Sequence, residues 1–335
     1  MKVLFLGTSS GKPSNHRNVT SIAVIMENGE FSLVDCGEAT QHQIMKSDLK
    51  ITKLREIYIT HLHGDHIFGL LGLLCTLNEF RKDPLKIYGP KGLKEFLRFI
   101  KSSITNYELD INEYAENWEH RTISRVFSGN YEFVVQFAVV KHTVTAFAYK
   151  ITRVRVVKQI DMNRFFPHMD YHRNELSELG FSPPHKIIDT LKNNITVTMK
   201  SGFIFDFENY YIKENDVSLV IALDNYNSEK MVWYFEKCDV LIHECTYACY
   251  SDMTETEVNE ITSLAISHGH STNRMASKVA KKLKAKQLLL THFSNRYEFE
   301  DEERIIQDIT NGPDSETGME IICARDFTQV CICSK

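Results

Sequence analysis

Between Ile59 and Gly69 the chain reads ITHLHGDHIFG, at the end of the strand-like run REIYIT. His61, His63, Asp65 and His66 thus crowd three imidazoles and a carboxylate into six positions where a strand gives way to a loop. Such crowding has little structural use by itself. It suits a divalent metal of borderline softness, zinc above all, which takes neutral imidazole and carboxylate and is readily served by one rigid loop. His61 and His63, two apart, can point the same way and share one ion, while Asp65 and His66 face a neighbouring one. Neither set is complete, so the fold must bring further strand ends to the same place.

Three residues meet that demand: His142 after EFVVQFAVVK, Asp224 after SLVIAL and His292 after KQLLLT. With them the chain can hold two ions, His61, His63 and His142 on one, Asp65, His66 and His292 on the other, with Asp224 free to bridge. Spacing alone leaves each of the three open between a ligand and an ordinary strand-end residue. For His16, His42, His120, His168, His172, His185 and His243 a solvated or core role is the favoured reading. Two ions about 3.5 to 4 Å apart generate a nucleophile from water and stabilise the attacking and leaving oxygens of a phosphoryl displacement. The implied reaction class is metal-assisted hydrolysis.

With 335 residues, 43% of them hydrophobic, the chain can bury a large core, so disorder is not expected. VLFLG, SIAVIM, FSLVDCG and REIYIT read as strands early on, and EFVVQFAVV, SLVIALD, CDVLIHE, KQLLLTHF and MEIICAR later. Helical spacing appears in KGLKEFLRFIKSS (Leu93, Phe96, Leu97, Ile100) and in NRMASKVAKKLKA (Met275, Val279, Leu283). Two sheets flanked by helices fit this order better than a doubly wound sheet. From about Val154 to Val217 the rhythm breaks, with clustered Pro and His, which predicts an excursion from the main domain and not a separate core. The apolar run IFGLLGLLCTL is too short to span a bilayer and reads as a buried helix; MKVLFLGTSSGKP lacks a signal-peptide core. These features predict a soluble intracellular protein, cytoplasmic or nuclear, without membrane association. The eight cysteines show no CxxC pairs and read mostly as buried thiols. A net charge of −5 gives no support to polyanion binding by the surface as a whole, although RVRVVK and KVAKKLKAK offer local basic clusters.

The metal-loop motif resembles the metallo-β-lactamase superfamily, and the joint presence of LGTSSGKP, VDCGEATQ, HLHGDHIFGL, KHTVTAFAY, HECTY, HST and THFSNRY resembles, more narrowly, the short form of RNase Z. The resemblance runs nearly end to end. It implies an α/β fold, an αββα four-layer sandwich, spanning residues 1–335 as a single domain, with an inserted flexible arm at approximately 154–217 that grips tRNA. It implies two Zn2+ per subunit, other divalent metals being possible, a homodimer, and precursor tRNA as substrate. Cleavage after the discriminator nucleotide would leave a 3′-hydroxyl on the tRNA and a 5′-phosphate on the trailer. Within the family mechanism Asp65 is ligand and base, and Glu244 with His270 protonates the leaving 3′ oxygen. Ser271 or Thr272 would cap the helix that follows. PSNHRN resembles a family loop read as PxKxRN and assigns RNA contacts to Pro13, Arg17 and Asn18, with Asn15 in place of the lysine. Further departures are LDN at Leu223 to Asn225 for the family's GDT, GEATQ for GEGTQ, which implies a slightly different turn at Ala39, and GFSPPH at the arm tip.

Two other readings compete. One keeps fold and metals but acts on small phosphodiesters or sulfate esters; the arm and PSNHRN speak against it. The other is a catalytically weak RNA-binding protein that keeps the ligands for stability, motivated only by LDN.

Overall fold

Runs without polar alternation become strands buried on both faces, as the segments KVLFLG, VSLVIA and VLIHE do almost throughout. The computed structural model describes residues 1–103, 105–312 and 318–333, with side chains outside 99–103. One sheet holds β1 (Lys2–Gly7), β2 (Ser21–Ile25), β3 (Phe31–Val34), β4 (Leu54–Tyr58), β5 (Leu85–Pro90), β6 (Leu109–Tyr114) and β16 (Gln329–Cys331), in the order β16-β1-β2-β3-β4-β5-β6. The other holds β7 (His120–Ser128), β8 (Tyr131–Val140), β9 (Ala146–Arg155), β12 (Val217–Ala222), β13 (Val240–Glu244), β14 (Gln287–Thr291) and β15 (Glu320–Cys323), in the order β15-β14-β13-β12-β9-β8-β7.

The sheets stack through one core that includes Phe5, Tyr58, Phe137, Phe147, Tyr149 and Ile242. Helices cover the outer face of each. On the first sheet lie α1 (Thr40–Lys46), α2 (Gly64–Ile67), α3 (Gly69–Leu77) and α4 (Leu93–Ser103), burying Ile44, Leu70, Leu73, Leu74 and Leu97. On the second lie α9 (Glu229–Phe235), α11 (Asn273–Lys282) and α12 (Asp301–Asn311), burying Met231, Phe235, Ala276, Ala280 and Ile305; α10 (Glu255–Ser267) precedes α11. The four-layer αββα sandwich is the expected architecture. IFGLLGLLCTL is helical from Gly69 but only half-buried, Leu70, Leu73, Leu74 and Leu77 facing the core while Phe68, Leu71 and Cys75 are exposed; five of the eight cysteines are buried. The second predicted helix ends at Lys282, three residues early, because Lys284 turns left-handed at φ 52°. No helix among the described residues is long and apolar enough to cross a membrane.

The segment after β9 differs from expectation. It folds into α5 (Met162–Tyr171), α6 (Arg173–Glu178), α7 (Ile187–Lys192), the short hairpin β10 (Val197–Thr198) and β11 (Ile204–Phe205), and α8 (Phe207–Tyr210). These elements enclose their own cluster around Phe165, Leu176, Ile187, Leu191, Phe205 and Tyr210, so the excursion carries a small core. Its aromatic members come from short, separate elements, which is why no period announces them. The two arginines of the basic run at its root are already spent, Arg153 pairing with Glu27 and Glu214 at 2.8 and 2.6 Å and Arg155 with Glu214 at 2.7 Å, whereas, among the described residues, the exposed Lys158 donates only to the Asn194 side chain.

Topology fixes where the chemistry gathers. β12, β13 and β14 run parallel, and β9 runs antiparallel to both β12 and β8, so β8, β12, β13 and β14 all end at one edge. The loop after β4 meets them there, tied by the Phe147 N–H donating to the Thr60 carbonyl at 3.0 Å and the Tyr149 hydroxyl donating to the Ile59 carbonyl at 2.6 Å.

Candidate metal centre

Seven side chains from these strand ends converge. Donor atoms of His61, His63, His142 and Asp224 form one group, and those of Asp65, His66 and His292 another, each within 4.8 Å of one another. In the first, His63 Nδ1 lies 3.0 Å from His61 Nε2 and 3.2 Å from His142 Nε2, while Asp224 Oδ2 lies 3.6 and 3.7 Å from those two Nε2 atoms. In the second, His66 Nε2 and His292 Nε2 are 3.3 Å apart and each 3.4 Å from Asp65 Oδ2. Asp224 turns its other oxygen, Oδ1, to this group, 3.2 Å from His66 and 3.1 Å from His292. One carboxylate therefore spans both groups, one oxygen to each.

The arrangement fits divalent metal. A tetrahedral ion with bonds of about 2.0 to 2.1 Å has ligand-to-ligand edges of about 3.4 Å, the range these donors occupy. Asp224 Oδ1 is buried with no hydrogen bond despite two imidazole nitrogens beside it. Those nitrogens have no hydrogen to give in the neutral ring, because the opposite ring nitrogen carries it. His66 Nδ1 donates to Asp35 at 2.6 Å and His142 Nδ1 to the Gly269 carbonyl at 2.7 Å. The Thr60 and Thr246 hydroxyls donate to Asp35 and Glu244, so each accepts from a histidine, His61 Nδ1 at 3.0 Å and His292 Nδ1 at 2.9 Å. Lone pairs facing lone pairs and a carboxylate call for a cation, and outward Nδ1–H bonds are how proteins orient metal-binding histidines.

Without metal the same pocket takes up protons instead: burial pushes the His66 imidazolium down, but the Asp224 and Asp35 carboxylates outweigh this and raise it well above its ordinary value. Burial pushes the Asp65 carboxyl up, but its contacts with His292 and His66 outweigh this and hold it well below the usual carboxylate range. The Gly11 N–H donates to Asp65 Oδ2 at 2.8 Å and fixes the group further. Burial likewise raises Asp224, and the imidazoles of His292, His66 and His61 outweigh it and lower the net value.

Glu244 and His270 meet beside this centre: His270 Nδ1 lies 3.2 and 3.3 Å from the two carboxylate oxygens, and the Asn225 N–H donates to Glu244 Oε1 at 2.6 Å. His270 Nδ1 also lies 3.7 Å from Asp224 Oδ2, so Asp224, His270 and His292 form a third possible metal group. Burial pushes the imidazolium of His270 down, but the Glu244 carboxylate outweighs this and raises it to about 9; burial raises Glu244, and His270 brings it net below its ordinary value. A raised histidine stabilises the fold fully below its unfolded value of about 6.5 and loses that contribution as pH rises through the folded one. In metal-free protein, the stability gap between wild type and His270→Gln should therefore be widest near pH 6 and close by pH 10, read as urea midpoints. A gap independent of pH would refute the pairing.

Thr272 caps α11 by accepting the Met275 N–H, whereas the Ser271 hydroxyl donates to the Asn225 carbonyl at 2.5 Å. Asn225, in the LDN departure, is buried, its amide donating to the Leu223 carbonyl. Ala39 keeps a left-handed φ of 59°, the conformation a glycine would favour, so the turn holds without the glycine. His16, His42, His120, His168, His172, His185 and His243 join none of the donor groups found among the described residues.

Arg17 requires correction as an RNA contact. It is buried, its guanidinium 2.6 Å from Glu302 and donating to Thr8 Oγ1 and the Ala324 carbonyl at 2.9 and 2.7 Å, so it staples the loop and is not offered to a ligand. Pro13 is exposed; the Asn18 amide donates to the Glu38 carbonyl at 2.9 Å. Sequence reasoning passed over Asp35 and Thr246, although both sit in quoted motifs. Asp35 also lies at a strand end, the one signal that could have found it.

Gly269 is fixed by its neighbours. Its φ is +84°, and an added Cβ would lie 2.7 Å from His142 Nδ1. Gly269→Ala should cost about 1 to 2 kcal/mol of stability and, by moving His142, about 10- to 100-fold in metal affinity, measurable by melting and by competition with a metal-sensitive dye. Unchanged affinity would show that His142 does not depend on this loop.

Comparison with known proteins shows the family to which the chain is similar. A family model described as anti-Pycsar protein Apyc1 matches residues 1–166. The chain is 36% identical to ribonuclease Z of Bacillus subtilis over 306 residues, 89% of this chain and 90% of that one. It is 33% identical to ribonuclease Z of Brevibacillus brevis over 316 residues, 92% and 90% of the two chains. The structure of human tRNase Z, short form, matches with a TM-score of 0.63 at 27% identity, covering 99% of both chains.

Proposed function

The chain belongs to the ribonuclease Z family, and on that premise we propose that it is a zinc-dependent endoribonuclease that removes the 3′ trailer of precursor tRNA. The cut falls after the discriminator nucleotide and leaves a 3′-hydroxyl on the tRNA and a 5′-phosphate on the trailer. The observation that carries the reading is the pair of donor groups spanned by Asp224, built for two ions side by side.

When bound, two divalent ions supply positive charge to the scissile phosphate and acidify the attacking water. Asp65, held ionised by its surroundings, orients that water and accepts its proton. His270, kept protonated by Glu244, delivers a proton to the departing 3′ oxygen. Thr246 accepts from His292 and donates to Glu244, so the proton donor and the metal-facing imidazole are fixed by one hydroxyl.

Zinc is favoured by the imidazole-rich donor set, at two ions per subunit. Met45, Phe68 and Leu71, at 72, 59 and 41% exposure on and beside the helix pair α1 and α3, support a homodimer formed through that face. The segment at approximately 154–217, within which residues from Ile160 to Tyr211 form a core of their own, serves as the tRNA-gripping arm. Pro13 and Asn18 contact the RNA end from the loop that Gly11 ties to Asp65. A precursor-tRNA substrate fits a cytoplasmic or nuclear location.

Incubation of the purified protein with a trailer-bearing precursor tRNA, with and without chelator, tests this. The expected result is one cut after the discriminator, abolished by chelation and restored by zinc. Faster turnover of a small chromogenic phosphodiester than of precursor tRNA would overturn it.

A further inference from the structure

One cavity lies away from the metal centre. It is an open hollow of about 650 Å³, within the range of small-molecule sites, and is ringed by Lys2, Lys46, Lys50 and Lys53, with Asp48 as its sole acid. Lys2 opens β1, Lys46 ends α1 and Lys53 precedes β4, so the cavity sits at the opposite end of β4 from His61, about 17 Å for five residues.

Two features set it apart from an ordinary charged surface. Lys46 donates to Gln43 Oε1 at 3.4 Å and Lys53 to the Asn28 carbonyl at 2.5 Å, but among the described residues none of the four lysines forms an ion pair. Four unneutralised ammonium groups around one hollow are unexpected in a protein of net charge −5. The second feature is Phe327. It holds φ at 67°, a strained conformation for a bulky side chain, yet is 40% exposed at the cavity wall. Its neighbours hold it there: the Phe327 N–H donates to the Phe5 carbonyl at 2.7 Å, and Asp326 accepts from the Thr8 hydroxyl and the Asn18 N–H at 2.8 and 2.7 Å. Strain kept in place against an exposed ring marks a binding element.

We propose that this cavity binds a nucleoside polyphosphate, the lysines taking the phosphates and Phe327 stacking on the base. Four cations match the charge of a triphosphate, the ring supplies a face for a heterocycle, and the volume exceeds what inorganic phosphate alone would fill.

Calorimetric titration of the metal-loaded full-length protein with ATP tests this. One saturable site is expected, weakened at least about tenfold both in Lys2→Gln/Lys50→Gln and in Phe327→Gly. Glycine suits the backbone at 327, so that variant should melt no lower than wild type, and both variants should cut precursor tRNA normally without ATP. Binding untouched by the lysine substitutions would place ATP at the metal centre and overturn the proposal. So would no saturation by about 5 mM ATP, inorganic triphosphate binding as tightly as ATP and unaffected by Phe327→Gly, or lysine-dependent binding of single-stranded RNA where ATP fails.

Discussion

Asp65→Ala should lower precursor-tRNA cleavage by about 10³- to 10⁴-fold while leaving the fold in place. The carboxylate has two duties: its Oδ2 completes the group with His66 and His292, and it is the ionised oxygen available to take a proton from water. Asp65→Asn separates them, since an amide oxygen can still approach a cation but cannot accept the proton. Both variants should show a native circular dichroism spectrum, with Asn retaining more metal than Ala and gaining little activity from it. Near-normal cleavage by the asparagine variant would remove Asp65 from the role of base and move it to another oxygen.

The second large effect is expected at Asp224. Its two oxygens face different donor groups, so its loss should impair both, not one. Asp224→Ala should drop bound zinc from about two to fewer than one per chain and cleavage by more than about 10³-fold. Metal removal from wild type should lower the melting temperature, because ions that bind only the folded state stabilise it by mass action. In Asp224→Ala that metal-dependent increment should largely vanish. Two tightly held ions in the variant would show the carboxylate to be structural.

How much of this was legible follows from what each residue does. HLHGDH declares itself because its ligands share one loop. His142, Asp224 and His292 are found by asking which strand ends carry a donor, and parallel strands make that question geometric. Asp35 and Thr246 escape, since hydrogen-bonding to an imidazole from behind leaves no mark in residue spacing. Arg17 misled for a related reason: a cation in a loop reads as solvent-facing, and only the fold reveals Glu302 beside it. The core of the segment after β9 was hidden because Phe165, Phe205 and Tyr210 come from short elements that never establish a period.

Each donor group draws on both sheets: His61, His63, Asp65 and His66 follow β4, whereas His142, Asp224 and His292 belong to the second sheet. During synthesis the early histidines leave the ribosome long before their partners, His61 and His292 standing 231 positions apart. A nascent chain cannot assemble both ion sites until His292 has been made. The cell is thereby spared a partly translated nuclease with a working centre, and zinc occupancy becomes a report that the two sheets have come together.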